Sequence, residues 1–210
     1  MLTFHQFRKS YNNELIVEIE NLSLGPNVYW ILGENGSGKT TLLKSIAGLV
    51  PYDGDINFQG IFNNNKDRQS FRKIVNYAEA EPQYPEFLNG MDLIQFYKKA
   101  KDAPNGQISR LLSLLDVESF ASRKIGEYSS GMIKKLSLVL TFIGNPQLIL
   151  LDEPLITLDK DAAGAILQLI KEYALSGISV ILTSHQDFSG NTGINFKKLL
   201  LINRQIKEIV

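Results

Sequence analysis

Hydrophobic residues recur at two different spacings along the chain, and the change of spacing divides it into thirds. Leu15-Ile16-Val17-Glu18-Ile19 and Asn27-Val28-Tyr29-Trp30-Ile31-Leu32 are short runs rich in β-branched and aromatic residues, which predicts strands. Thr40 to Leu49 reads as a helix closed by Pro51, and Asp53-Gly54 as a turn leading into a strand over Asp55 to Gln59. From about Asn76 to Asn145 the pattern becomes helical. Ile108, Leu111, Leu112 and Leu115 share one helical face, Met91 to Lys101 is a second helix with a basic end, and Gly131 to Gly144 is a third with Leu136, Val139, Leu140 and Ile143 inward. Strand signals then return. Leu148 to Leu151 is uniformly apolar, as a strand buried on both faces is, and Ile178 to Thr183 reads as another. A helix from about Asp161 to Ser176 lies between them, and Lys198 to Val210 reads as two short strands around Asn203-Arg204. Strand, loop, helix, helical insertion, strand, helix, strand is the order of an α/β core.

Composition narrows the classes. At 210 residues, 44% hydrophobic and 21% charged, the chain has the make-up of one globular domain with room for an insertion. Its 22 basic and 22 acidic residues cancel, and no basic stripe appears, which argues against nucleic acid as a partner. The absence of cysteine excludes disulfides, thiolate metal sites and a cysteine nucleophile, and fits a reducing compartment. Met1 to Gln6 opens neither a basic nor an apolar leader segment. The longest apolar runs fall far below the ~18 residues of a membrane span. Work at a membrane would therefore need a partner that crosses it.

Two segments carry chemistry. Gly33-Glu34-Asn35-Gly36-Ser37-Gly38-Lys39-Thr40 follows a strand and precedes a helix, which is the context a phosphate-binding loop requires. Glycines let successive N–H groups approach phosphate oxygens, and the opening of the helix at Lys39, Thr40 and Thr41 points its free N–H groups at them. Lys39 supplies a full charge for the β- and γ-phosphates, and Thr40 a hydroxyl for Mg²⁺. Asp152-Glu153 closes the run Leu148 to Leu151 at a strand's carboxyl end, where ligands of parallel sheets bind. Asp152 would hold Mg²⁺ and Glu153 would orient the attacking water. Pro154 fixes the exit of the chain.

Together these segments resemble Walker A and Walker B of the nucleotide-binding subunit of ABC transporters, and the resemblance covers essentially the whole chain. Tyr128-Ser129-Ser130-Gly131-Met132 is similar to the family signature, usually Leu-Ser-Gly-Gly-Gln. His185 resembles the switch histidine, Leu158-Asp159 the end of the D-loop, and Tyr11 the aromatic residue that stacks on adenine. The resemblance implies an α/β fold: a P-loop NTPase core with a mixed, largely parallel sheet, an N-terminal antiparallel β-subdomain and an inserted helical subdomain. Residues 1–75 and 146–210 would form the core with its β-subdomain, and about 76–145 the helical part carrying the signature. It further implies ATP and Mg²⁺, hydrolysis with Glu153 and His185 as catalytic residues, and a homodimer or heterodimer. Ser129, Ser130, Gly131 and Asp159 would reach the nucleotide held by the other subunit. A transmembrane permease subunit would hold the protein peripherally on the cytoplasmic face, docking near Glu79 to Leu88, where Tyr84, Pro85 and Phe87 are expected to be exposed.

Two departures stand out. Ser130 places a side chain where the family has glycine, which either adds a hydroxyl donor or hinders closure. At the family's Q-loop glutamine the chain has Ala80, so Glu81 or Glu79 takes over at the metal, or water completes the coordination of an acidic surface loop. Other readings are a small-molecule P-loop kinase, a soluble ABC protein of DNA repair or translation, and a nucleotide-gated module with weak hydrolysis. The first needs neither the Ser129 tip nor Glu153. The second usually carries coiled coils or paired cassettes, which this sequence lacks.

Overall fold

The computed structural model describes residues 1–62, 68–184 and 192–209. Its strands are β1 (Leu2–Tyr11), β2 (Glu14–Leu24), β3 (Val28–Leu32), β4 (Asp53–Phe58), β5 (Ile61–Phe62), β6 (Val75–Ala78), β7 (Leu148–Leu151), β8 (Ser179–Thr183), β9 (Phe196–Ile202) and β10 (Gln205–Ile209). Its helices are α1 (Lys39–Ile46), α2 (Arg68–Ile74), α3 (Gly90–Ala100), α4 (Gln107–Leu114), α5 (Ser130–Phe142) and α6 (Lys160–Leu175). The strands form an antiparallel sheet in the order β2-β1-β4-β5 and a second sheet in the order β10-β9-β3-β8-β7-β6. In the second, β6, β7, β8, β3 and β9 pair in parallel and β10 returns antiparallel to β9. This is the α/β fold with mixed sheet that the resemblance implies.

The uniformly apolar strands have a simple cause: both faces of the larger sheet are covered. Ile149, Leu151, Val180, Leu182, Val28 and Trp30 face one core with α5, α6 and the helical insertion. Leu148, Leu150, Ile181, Tyr29 and Ile31 face the other, filled by α1 and the antiparallel sheet. Each such fully buried aliphatic side chain contributes about 1.5–3 kcal/mol. β6 pairs with β7 from Val75 to Ala78, so the sheet extends to Ala78 and the helical stretch follows it.

Three local expectations change. α1 ends at Ile46 instead of Leu49, because Gly48 takes φ 71° and closes a Schellman turn. There Gly48 N–H donates to Ser45 O at 3.0 Å and Leu49 N–H to Lys44 O at 2.9 Å. α5 stops at Phe142 rather than Gly144, since Ile143 is already extended and Asn76 donates to the carbonyls of Thr141 and Ile143. Asp53-Gly54 is no turn. It opens β4 opposite an irregularity of β1, where Gln6 has φ 47° and its carbonyl approaches so closely that a Cβ on Gly54 would meet it at 2.1 Å.

Candidate functional site

β3 ends where the glycine-rich loop begins, and β7 ends at Leu151, just before Asp152, with β8 between them in the sheet. The loop and the acidic pair therefore share one edge, the carboxyl end of parallel strands. Gly38 has φ 105°, and a Cβ there would lie 2.7 Å from Val17, so the turn into α1 needs glycine. α1 has no side-chain cap and no acidic residue in its first turn, which leaves its N–H groups and positive end directed into the loop. Lys39 is nearly buried and donates to Gly33 O at 2.7 Å and Glu34 O at 2.9 Å. Burial lowers its pKa, while Glu153 and then Asp152 act in the opposite direction, which places both carboxylates within its field. Ser37 Oγ is buried and has no hydrogen-bond partner among the described residues. A loop with an orphaned hydroxyl, uncapped N–H groups and a lysine satisfied only by carbonyls suits an anionic ligand such as a triphosphate. Gly33 to Ser37 line a cavity of about 710 Å³ with Glu14, Leu15, Ile16 and the β9–β10 turn.

The Asp152 carboxylate and the backbone of Glu153 are held by residues that sequence reasoning missed. Thr183 Oγ1, from the intervening β8, donates to Asp152 Oδ1 at 2.7 Å and accepts from Glu153 N–H at 3.0 Å. Tyr77, from β6, donates its hydroxyl to Asp152 Oδ2 at 3.4 Å. A strand order of β8-β7-β6 predicts such neighbours, but that order is not written in local sequence. Glu153 has φ 46°, a left-handed backbone that is uncommon for a side chain of its size and frequent at functional sites. The hydroxyl of Thr40, exposed on the first turn of α1, and the carboxylate of Asp152 are hard oxygen donors of the type Mg²⁺ prefers. Glu81 is exposed in the loop after β6.

Ser129 and Ser130 are exposed at the tip of α5, where Ser129 Oγ accepts from Met132 N–H at 3.2 Å as an N-cap. Tyr128 is buried, its hydroxyl bonded to Phe120 O at 2.9 Å and its ring edge-on to Phe120, which explains tyrosine at this position. A Cβ on Gly131 would meet Thr157 O at 3.2 Å. Asp159 caps α6 through Ala162 N–H and pairs with Lys135 at 2.8 Å, and that bond holds its carboxyl below the usual range. Asn35, Gly36 and Thr41 lie in the loop and first turn of α1. Tyr11, at the end of β1, is 44% exposed with the Lys9 ammonium 4.1 Å from its ring centre. His185 lies outside the described residues. Phe87 and Pro85 are exposed as expected, but Tyr84 is half-buried, packed against the helical core.

A family model described as "ABC transporter" matches residues 21–156, which include the glycine loop, Ser129 to Gly131 and Asp152-Glu153. The chain is 28% identical over 187 residues to the lantibiotic transport ATP-binding protein SrtF of Streptococcus pyogenes, covering 88% of this chain and 80% of that protein. It is 29% identical over 195 residues to the glucosylceramide transporter ABCA12 of Mus musculus, where 88% of this chain spans only 8% of that protein. Among solved structures, a dimeric ATP-binding cassette in a post-hydrolysis state with ADP and phosphate superposes with a TM-score of 0.82. It is 22% identical, and the match covers 100% of this chain and 98% of that one. No described helix is long and apolar enough to cross a membrane.

Proposed function

The chain belongs to the ABC transporter family, and from that premise we propose that it is an ATP-binding and ATP-hydrolysing subunit that powers transport through a separate membrane-spanning partner. The observation that carries this reading is the pairing of the Lys39 loop with Asp152-Glu153 across one sheet edge, with Thr183 holding both acids. ATP places its phosphates on the N–H groups of the loop and of α1, and Lys39 exchanges its carbonyl partners for phosphate oxygens. The hydroxyl of Thr40 and the carboxylate of Asp152, with Glu81 assigned as a further ligand, would hold Mg²⁺, which would neutralise charge on the β- and γ-phosphates. Glu153 orients and deprotonates the attacking water, a contribution of about 10²–10⁴-fold. Tyr11 stacks on the base, and His185 is assigned to the γ-phosphate.

A second copy, or a related chain, supplies Ser129 to Gly131 and Asp159 to close the site. The exposed, capped tip of α5 supports this assignment, since a helix N-terminus favours the negative charge of a γ-phosphate. Leu49, Tyr84 and Phe96 line a groove of about 520 Å³ beside the loop after β6, and a cytoplasmic segment of the permease is assigned to it. The test is phosphate release by the purified chain at high concentration with Mg²⁺ and ATP. Free phosphate in proportion to ATP consumed is expected. Phosphorylation of a small acceptor without phosphate release would identify a kinase, and saturable ATP binding without turnover would favour a nucleotide-gated module.

A further inference from the structure

α5 carries a lysine inside the protein. Lys134 is 1% exposed, and its ammonium donates to the carbonyl oxygens of Glu79 at 2.8 Å, Ala80 at 3.0 Å and Asp152 at 3.2 Å. An ammonium has three donors, and here each meets an acceptor. Burying a cation costs much of its hydration, so an apolar residue of equal length would serve packing alone at lower cost. The three acceptors join segments that the sheet no longer holds together. Pairing of β6 with β7 ends at Ala78 and Leu151, with one further bond from Asp152 N–H to Ala78 O at 2.9 Å. Among the described residues the ladder has no pair beyond it, and Ala80 offers only its main chain to a neighbour. Lys135, the next residue, pairs with Asp159 at 2.8 Å. Consecutive lysines of one helix thus fasten both ends of the segment 152–159 that contains Glu153.

We propose that Lys134 is a positioning residue for hydrolysis, fixing the main chain of the 79–80 loop and of Asp152 on the helix whose tip carries Ser129 and Gly131. Through that clamp the carboxylates at 152 and 153 keep register with α5, so closure at its tip is transmitted to the acid pair. The inference rests on the ATPase reading above.

Lys134→Met removes the donors while keeping an unbranched side chain only one atom shorter, and Lys134→Gln keeps two donors without charge, a second variant should the first not fold. Leu136→Ala, buried on the same helix, is the control for stability lost without loss of the clamp. Turnover is divided by the MgATP bound per chain, so that unfolded protein does not count. The two Lys134 variants are expected to bind MgATP within about two-fold of wild type while kcat falls at least about ten-fold, and Leu136→Ala to melt earlier with kcat within about two-fold. A wild-type chain without turnover would overturn both readings. Turnover in the wild type that a folded Lys134 variant retains within about two-fold, or a matching loss in Leu136→Ala, would overturn this one alone.

Discussion

Thr183→Val tests the geometry of the acid pair more sharply than removal of either acid. The hydroxyl of Thr183 is fully buried, donates to Asp152 Oδ1 at 2.7 Å and accepts from Glu153 N–H at 3.0 Å. Valine has nearly the same shape and is equally suited to a central strand, so neither a cavity nor a change of propensity accompanies the loss. A hydrogen bond to a charged acceptor contributes about 1.5–3 kcal/mol, and a buried amide left without a partner costs about 1–3 kcal/mol. Taking mid-range values and allowing for relaxation, the variant should lose about 3 kcal/mol of the roughly 5–15 kcal/mol that holds a domain folded. With a urea dependence of about 3 kcal/mol per molar, the unfolding midpoint falls by about 1 M. The folded variant should bind ATP normally but turn over at least about ten-fold more slowly, because both acids lose their shared anchor. Thr183→Ser keeps the hydroxyl and should keep most of the activity. A Thr183→Val midpoint within about 0.2 M of wild type, with turnover within about two-fold, would refute this account of the site.

Glu153→Gln should bind MgATP and hydrolyse it at least ~100-fold more slowly, about 3 kcal/mol of barrier, as read by phosphate release; hydrolysis within about two-fold of wild type would remove Glu153 from the mechanism. Alkaline pH should unfold the protein. Burial pushes the Tyr52 phenol up to about 12 and raises those of Tyr77 and Tyr84 as well. The unfolded chain ionises these groups near pH 10, so above about pH 10 it binds fewer protons than the folded one and stability falls as pH rises. Phenolate absorbance should therefore rise in two stages, the second coinciding with loss of the circular dichroism signal. A single reversible stage near pH 10 with the fold intact would contradict the sign.

Strands buried on both faces are readable in sequence because nothing polar interrupts them, and so Leu148 to Leu151 and its flanking acids were locatable. The glycine loop is equally plain, since its backbone conformation admits few residues: Gly38 at φ 105° leaves no room for a side chain. Contacts across the sheet were beyond reach. Thr183 and Tyr77 meet Asp152 only because β8 and β6 flank β7, an order that no local pattern encodes. Lys134 reads as an ordinary polar position near a helix start, and its burial depends on how α5 packs against the end of β6. The Gly48 turn could have been found, because glycine after a helical run is a stop signal that competes with Pro51.

The central claim is that a triphosphate rests on the loop closed by Lys39. Equilibrium titration of the Mg²⁺-supplied chain with ATP, run beside Lys39→Ala, measures it directly. Saturable binding of about one nucleotide per chain is expected, weakened at least about ten-fold in the variant, which loses a charge-assisted contact to phosphate. A folded wild-type chain with no measurable affinity for ATP, or one that binds it equally well without the Lys39 ammonium, would contradict the account.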